Sequence, residues 1–101
     1  MIRHILLVRA RPDASDDLLT AFGDIAALQG RLTGLLAVAF GPSRSPEDLE
    51  RGYTHGLVAD FTDHDALRRY ADDPEHRTAG AAITAAAADG RDGLLVVDLE
   101  L

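Results

Sequence analysis

The chain has 101 residues, 47% of them hydrophobic and 27% charged, with a formal net charge of −7 and no cysteine. That is enough for one domain over residues 1–101 with a modest core, and too little for two. The acidic balance argues against nucleic acid, which needs a basic face, and against anionic membranes; the missing thiols exclude disulfides, thiolate metal sites and cysteine nucleophiles.

Met1-Ile2-Arg3-His4 leads straight into an apolar run, without the charged, apolar and small-residue zones of a signal peptide. No stretch approaches the ~18 consecutive apolar residues of a membrane span. A cytoplasmic location is therefore expected. Ile2 to Arg9 reads as a strand, because Ile5-Leu6-Leu7-Val8 is short, apolar and bounded by Arg9 to Pro12. Its two faces are Ile2, His4, Leu6, Val8 and Arg3, Ile5, Leu7, Arg9. Ser15 is expected to cap a helix with Asp16-Asp17 in its first turn, Leu18, Phe22, Ile25 and Leu28 along one side, and Gly30 as its stop.

Leu35 to Phe40 forms a second predicted strand between Gly34 and Gly41-Pro42. The connection Ser43 to Gly52 carries a capping pattern, Ser45-Pro46-Glu47-Asp48, for about one helical turn. A third strand follows from Tyr53 to Phe61, with Tyr53, His55, Leu57, Ala59 and Phe61 on one face. Thr62-Asp63-His64-Asp65 caps a short helix holding Ala66, Leu67, Tyr70 and Ala71. After a break at Asp72-Asp73-Pro74, another helix is expected to run to about Asp89 and stop at Gly90. Gly93 to Leu101 is the last strand.

The order is β-α-β-β-α-β, the α+β ferredoxin-like pattern of an antiparallel sheet with helices on one face. Three of the four strands are apolar on both faces, and a monomer does not leave a patch of that size uncovered. A second copy is the expected cover, as a C₂ homodimer. The alternation places His4, Leu6, Val8, His55, Leu57 and Ala59 in a barrel-like interior between the two sheets.

The chemistry concentrates at Tyr70 to His76, Tyr-Ala-Asp-Asp-Pro-Glu-His. Asp73 as N-cap and Pro74 at the first helical position put His76 among unpaired N–H groups, where the dipole favours the neutral imidazole a general base needs. Asp72, Asp73 and Glu75 pull the other way; a solvated surface histidine is the plainer alternative. Proton abstraction beside a carbonyl would use His76 as base, with the Tyr70 hydroxyl donating to the developing enolate. His4 and His55 are candidates for ligand contact or for satisfied core positions, and His64 for a solvated one. No ligand spacing joins His4, His55 and His76 into a metal site, and no phosphate loop, dinucleotide fingerprint or nucleophile elbow occurs, so no metal or cofactor is expected.

Five pieces, Ile2-Arg3-His4-Ile5, Gly52-Tyr53-Thr54-His55, Ala66-Leu67 with Tyr70, Asp73-Pro74-Glu75-His76, and Leu94-Leu95-Val96-Val97-Asp98, together resemble the stress-responsive α/β barrel (Dabb) domain. The resemblance implies ferredoxin-like dimers with a β-barrel at their centre. Most members have no settled biochemical role, and some are associated with stress resistance. One plant branch is a polyketide cyclase that closes a poly-β-keto thioester by aldol condensation. Its base and neighbouring tyrosine would fall on His76 and Tyr70. His4 and His55 match the histidines of the first strand and of the Gly-Tyr-Thr-His element. The chain departs from that branch at Asp73, where the branch has a histidine, and in mostly aliphatic lining positions with Phe22 kept. The implied protein is a homodimer with a pocket for a small apolar or aromatic carbonyl ligand, contacted by His4, Leu6, Val8, Phe22, His55 and Leu57. A cyclase-like enzyme acting through His76 and Tyr70 is one alternative; a structural, stress-protective protein without a ligand is another.

Overall fold

Successive residues of a strand point to opposite sides of its sheet, so burial along each strand reports which side the helices cover. In the computed structural model, which describes residues 1–101, the elements are β1 (Ile2–Val8), α1 (Ser15–Ala26), β2 (Leu35–Pro42), β3 (His55–Phe61), α2 (His64–Asp72), α3 (Pro74–Ala86) and β4 (Leu94–Glu100). A one-turn 3₁₀ segment, Gly90–Gly93, leads into β4. The four strands form one antiparallel sheet in the order β2-β3-β1-β4. This is the ferredoxin-like α+β fold.

Pairing sets Leu6 opposite Leu57 and Val96, and His4 opposite Ala59 and Asp98. Directly opposed residues share a side of the sheet. That side carries Ile2, Leu6, Val8, Leu57, Ala59 and Phe61, all buried, together with Leu18, Phe22 and Ile25 of α1 and Ala79, Ile83 and Ala86 of α3. His4, Leu6, Val8, His55, Leu57 and Ala59 therefore face the helices, and the expectation that they line a space between two sheets is corrected. Both sides of β1 are apolar, so its alternation could not tell which side the helices would take.

The other side holds Ile5, Leu7, Val58, Leu95, Val97 and Leu99, with Leu95 and Val97 each 42% exposed. No helix covers it. Its main polar feature is a fork from Arg3 to the Asp60 carboxylate at 2.8 and 3.0 Å, which holds Asp60 below the usual carboxylate range. An apolar sheet face of this kind is what a second copy buries.

Several element ends differ from expectation. Ala14, not Ser15, is the N-cap of α1, and it supplies no side-chain cap. Ser45 to Asp48 makes a turn rather than a helical turn, and β3 begins at His55 rather than Tyr53. The last helix stops at Ala86, because Ala87 leaves helical geometry to bridge Ala10 beside the end of β1. Gly34 explains one junction directly. Its φ is +87°, and a Cβ there would stand 2.5 Å from the Ala66 Cβ, so only glycine lets the chain enter β2 against α2.

Leu7→Asp and Val97→Asp place a charge on the bare side only. Each is expected to leave the circular dichroism spectrum unchanged while converting a dimer to a monomer by light scattering. Leu6→Asp buries the charge under α1 and α3 and is expected to unfold the chain, a loss of several kcal/mol.

Candidate functional site

Asp73 ends α2 and begins α3: its extended backbone, φ −65° and ψ 132°, breaks the helix, and its carboxylate accepts the His76 N–H at 3.0 Å. Pro74 at the first helical position needs no N–H partner. Arg31, in the turn before β2, donates to the same carboxylate at 2.9 Å and holds Asp73 below the usual range. With both ends of the break tied, the His76 ring turns inward. It lies 4.0 Å from the Tyr70 ring, centroid to centroid, at 43°.

Tyr70 is 3% exposed and packs on Phe61 at 4.9 Å and His4 at 5.8 Å. The pairing of β1 with β4 brings His4 Nδ1 to 2.6 Å from Asp98 Oδ1. With the carboxylate accepting, Nδ1 carries the proton, and the His4 ring is fixed in one orientation.

These groups surround a cavity of about 530 Å³ between the sheet and α2, α3 and the 3₁₀ segment. His4, Tyr70, His76, Thr84 and Arg91 supply its polar atoms; Leu6, Ile25, Leu57, Ile83, Leu94 and Val96 supply its apolar wall. Burial lowers the pKa of His76, with nearby His4 and Arg77 acting in the same direction against the Ala71 backbone and Asp73. Its Nδ1 is sealed from solvent with no hydrogen-bond partner. Burial, and then Asp98, push the Tyr70 hydroxyl up, so it stays protonated. The result is a neutral imidazole against a hydroxyl donor at the edge of an apolar cavity, an arrangement able to bind a carbonyl oxygen and to take a proton from the adjacent carbon.

Of the residues singled out from sequence, His4, Leu6, Leu57, Tyr70 and His76 line this cavity. Val8 and Phe22 do not: both are fully buried, and Phe22 meets Phe40 edge-on at 5.6 Å. His55 lies elsewhere, in a hollow under the connection between β2 and β3 with Phe40, Leu49 and Tyr53. Its Nδ1 is 2.8 Å from Thr54 Oγ1, and burial, then Arg44, lower its pKa. Sequence reasoning missed Asp98 and Arg91. Asp98 carried a signal, a carboxylate directly after the apolar run Leu94 to Val97, but only the strand register sets it opposite His4. Arg91 carried none, because the 3₁₀ segment that presents it was read as the stop of a helix.

The family described as the stress-responsive A/B barrel domain matches residues 2–101. A dimeric ferredoxin-like protein of unknown function from Jannaschia sp. CCS1 is 35% identical, with a TM-score of 0.95 over 99% of this chain and 98% of that one. Another, from Thermobifida fusca YX, is 30% identical, with a TM-score of 0.78 over 99% and 90%. Hydroxynitrile lyase from Passiflora edulis shares the fold, with a TM-score of 0.80 over 97% and 90%, at 18% identity. No curated protein matches the chain.

The lowered pKa of His76 makes stability depend on pH. Below its ordinary 6.5 the unfolded chain binds a proton that the folded chain resists, so the contribution is intact above 6.5 and is lost as pH falls through the folded value. His76→Leu removes both this slope and the sealed, unpartnered Nδ1. Thermal melts are expected to show a flatter profile below pH 6.5 and a gain of about 1 kcal/mol at pH 7. A structural histidine would instead lose stability on substitution.

Proposed function

The chain belongs to the stress-responsive A/B barrel domain family, and from that premise we propose that it is a single-domain homodimer whose helix-side cavity binds a small carbonyl compound. The observation that carries the reading is the Tyr70–His76 pair, 4.0 Å apart, with the imidazole desolvated and one of its nitrogens sealed without a partner. A buried unsatisfied nitrogen costs roughly 1–3 kcal/mol. Such a group persists where function needs it. The apolar wall suits an aliphatic or aromatic body, while the hydroxyl and imidazole suit a carbonyl oxygen and its acidic neighbour.

Support for self-association comes from the bare apolar side of the sheet and from the dimeric relatives. The cavity opens on the opposite side of the sheet, so dimerisation leaves it accessible. No helix is long and apolar enough to cross a membrane, and we place the protein in the cytoplasm. Aldol cyclisation of a poly-β-keto substrate, with His76 as base and Tyr70 as donor, is a second reading. It rests on the same pair, and the aliphatic wall grips a flat aromatic product less firmly than aromatic side chains would.

Acetophenone tests the binding reading. Titrated into the 15N-labelled dimer, it is expected to shift the Tyr70 and His76 signals and to leave His55 unmoved, and His76→Leu is expected to weaken the effect at least tenfold. Shifts confined to the surroundings of His55, or no shifts at all, would contradict it and favour a ligand-free, structural role.

A further inference from the structure

Arg91 is the one charged side chain among those lining the cavity. Most other arginines are committed: Arg3, Arg31, Arg68 and Arg77 to carboxylates, and Arg9, Arg44 and Arg69 to backbone carbonyls. The Arg91 guanidinium makes no hydrogen bond or ion pair within the chain. It stands exposed on the 3₁₀ segment at the rim, on a molecule of net charge −7. A free guanidinium is a fork shaped for a carboxylate. Inside lie a hydroxyl donor, an imidazole and an apolar wall; the hollow beside His55 also joins an imidazole to the Tyr53 hydroxyl, but its charged lining residue is Glu50, which a carboxylate would not approach.

We propose that the site takes a 2-keto acid carrying hydrogen on C3 and interconverts its keto and enol forms. The inference rests on the carbonyl-binding reading and adds the substrate class and a specificity residue. Arg91 holds the carboxylate, the Tyr70 hydroxyl donates to the C2 oxygen, and the apolar wall takes the C3 substituent. Nδ1 of His76 is the sealed nitrogen, so Nε2 is the one that meets the ligand. Nε2 removes a proton from C3. The C–H electron pair becomes the C2–C3 double bond, and the carbonyl π pair moves onto oxygen. Returning the proton from Nε2 to that oxygen gives the enol and restores the neutral imidazole, so the step balances without a co-reactant. His4, held by Asp98, backs the Tyr70 ring and is a positioning residue.

The test is deuterium exchange at C3 of phenylpyruvate in D₂O, followed by proton NMR, with benzyl methyl ketone as the analogue lacking the carboxylate. The wild-type dimer is expected to exchange phenylpyruvate at least tenfold more efficiently than the ketone. Arg91→Gln should raise KM for phenylpyruvate about tenfold and leave the ketone unchanged; His76→Gln should abolish exchange of both. An Arg91→Gln protein that handles phenylpyruvate normally would overturn the assignment of Arg91. Phenylpyruvate that shifts the Tyr70 and His76 signals but exchanges no faster than in buffer would overturn the chemistry and leave the binding reading standing. If neither compound shifts those signals, both fall.

Discussion

Asp73 carries three duties in one carboxylate, and the geometry of the cavity follows from them. It terminates α2 by its extended backbone, caps α3 by accepting the His76 N–H, and accepts the Arg31 guanidinium from the turn that leads into β2. Remove the break and α2 would run on through Pro74, which a helix interior does not accept. Keep the break but loosen the cap, and the first turn of α3 would fray with the imidazole on it. The inward position of His76 is thus held from the backbone, by a residue that never touches the cavity.

The sheet divides its labour between its sides. One side is closed by α1 and α3 over a core of Val8, Leu57, Phe61, Phe22 and their neighbours, and the cavity is the part of this layer that the small residues of α3 do not fill. The other side stays apolar and bare, crossed by the Arg3–Asp60 fork. Because pairing partners on β1 and β4 share a side, His4 and Asp98 meet on the cavity side, while Leu95, Val97 and Leu99 gather on the other. A dimer formed across the bare side therefore leaves the helix-side cavity uncovered.

Much of this was legible in the sequence. The strand runs, the two acidic helix starts and the Asp-Pro break fix the β-α-β-β-α-β order by local rules, and the cap at Asp73 puts His76 in a first turn as the residue types require. The sides of the sheet were not legible. Ile5-Leu6-Leu7-Val8 is apolar in both registers, so alternation offers two equal answers, and only the packing of Leu18, Phe22 and Ile25 chooses between them. His55 was grouped with His4 and His76 because it shares their side of the sheet. Distance along the strands separates them: His55 opposes Val8 at the far end of β1, His4 opposes Ala59. Arg91 and Asp98 depend on tertiary register and could not be read from spacing.

A crystal structure of the dimer grown with phenylpyruvate would bear most directly on the claim that the helix-side cavity is a binding site built on Tyr70 and His76. The expected density places the ligand between the sheet and α3, with its carbonyl oxygen within hydrogen-bond distance of the Tyr70 hydroxyl, and two sheets meeting through Leu7, Val97 and Leu99. Ligand bound under the connection beside His55, or on the sheet face between the two copies, would contradict it.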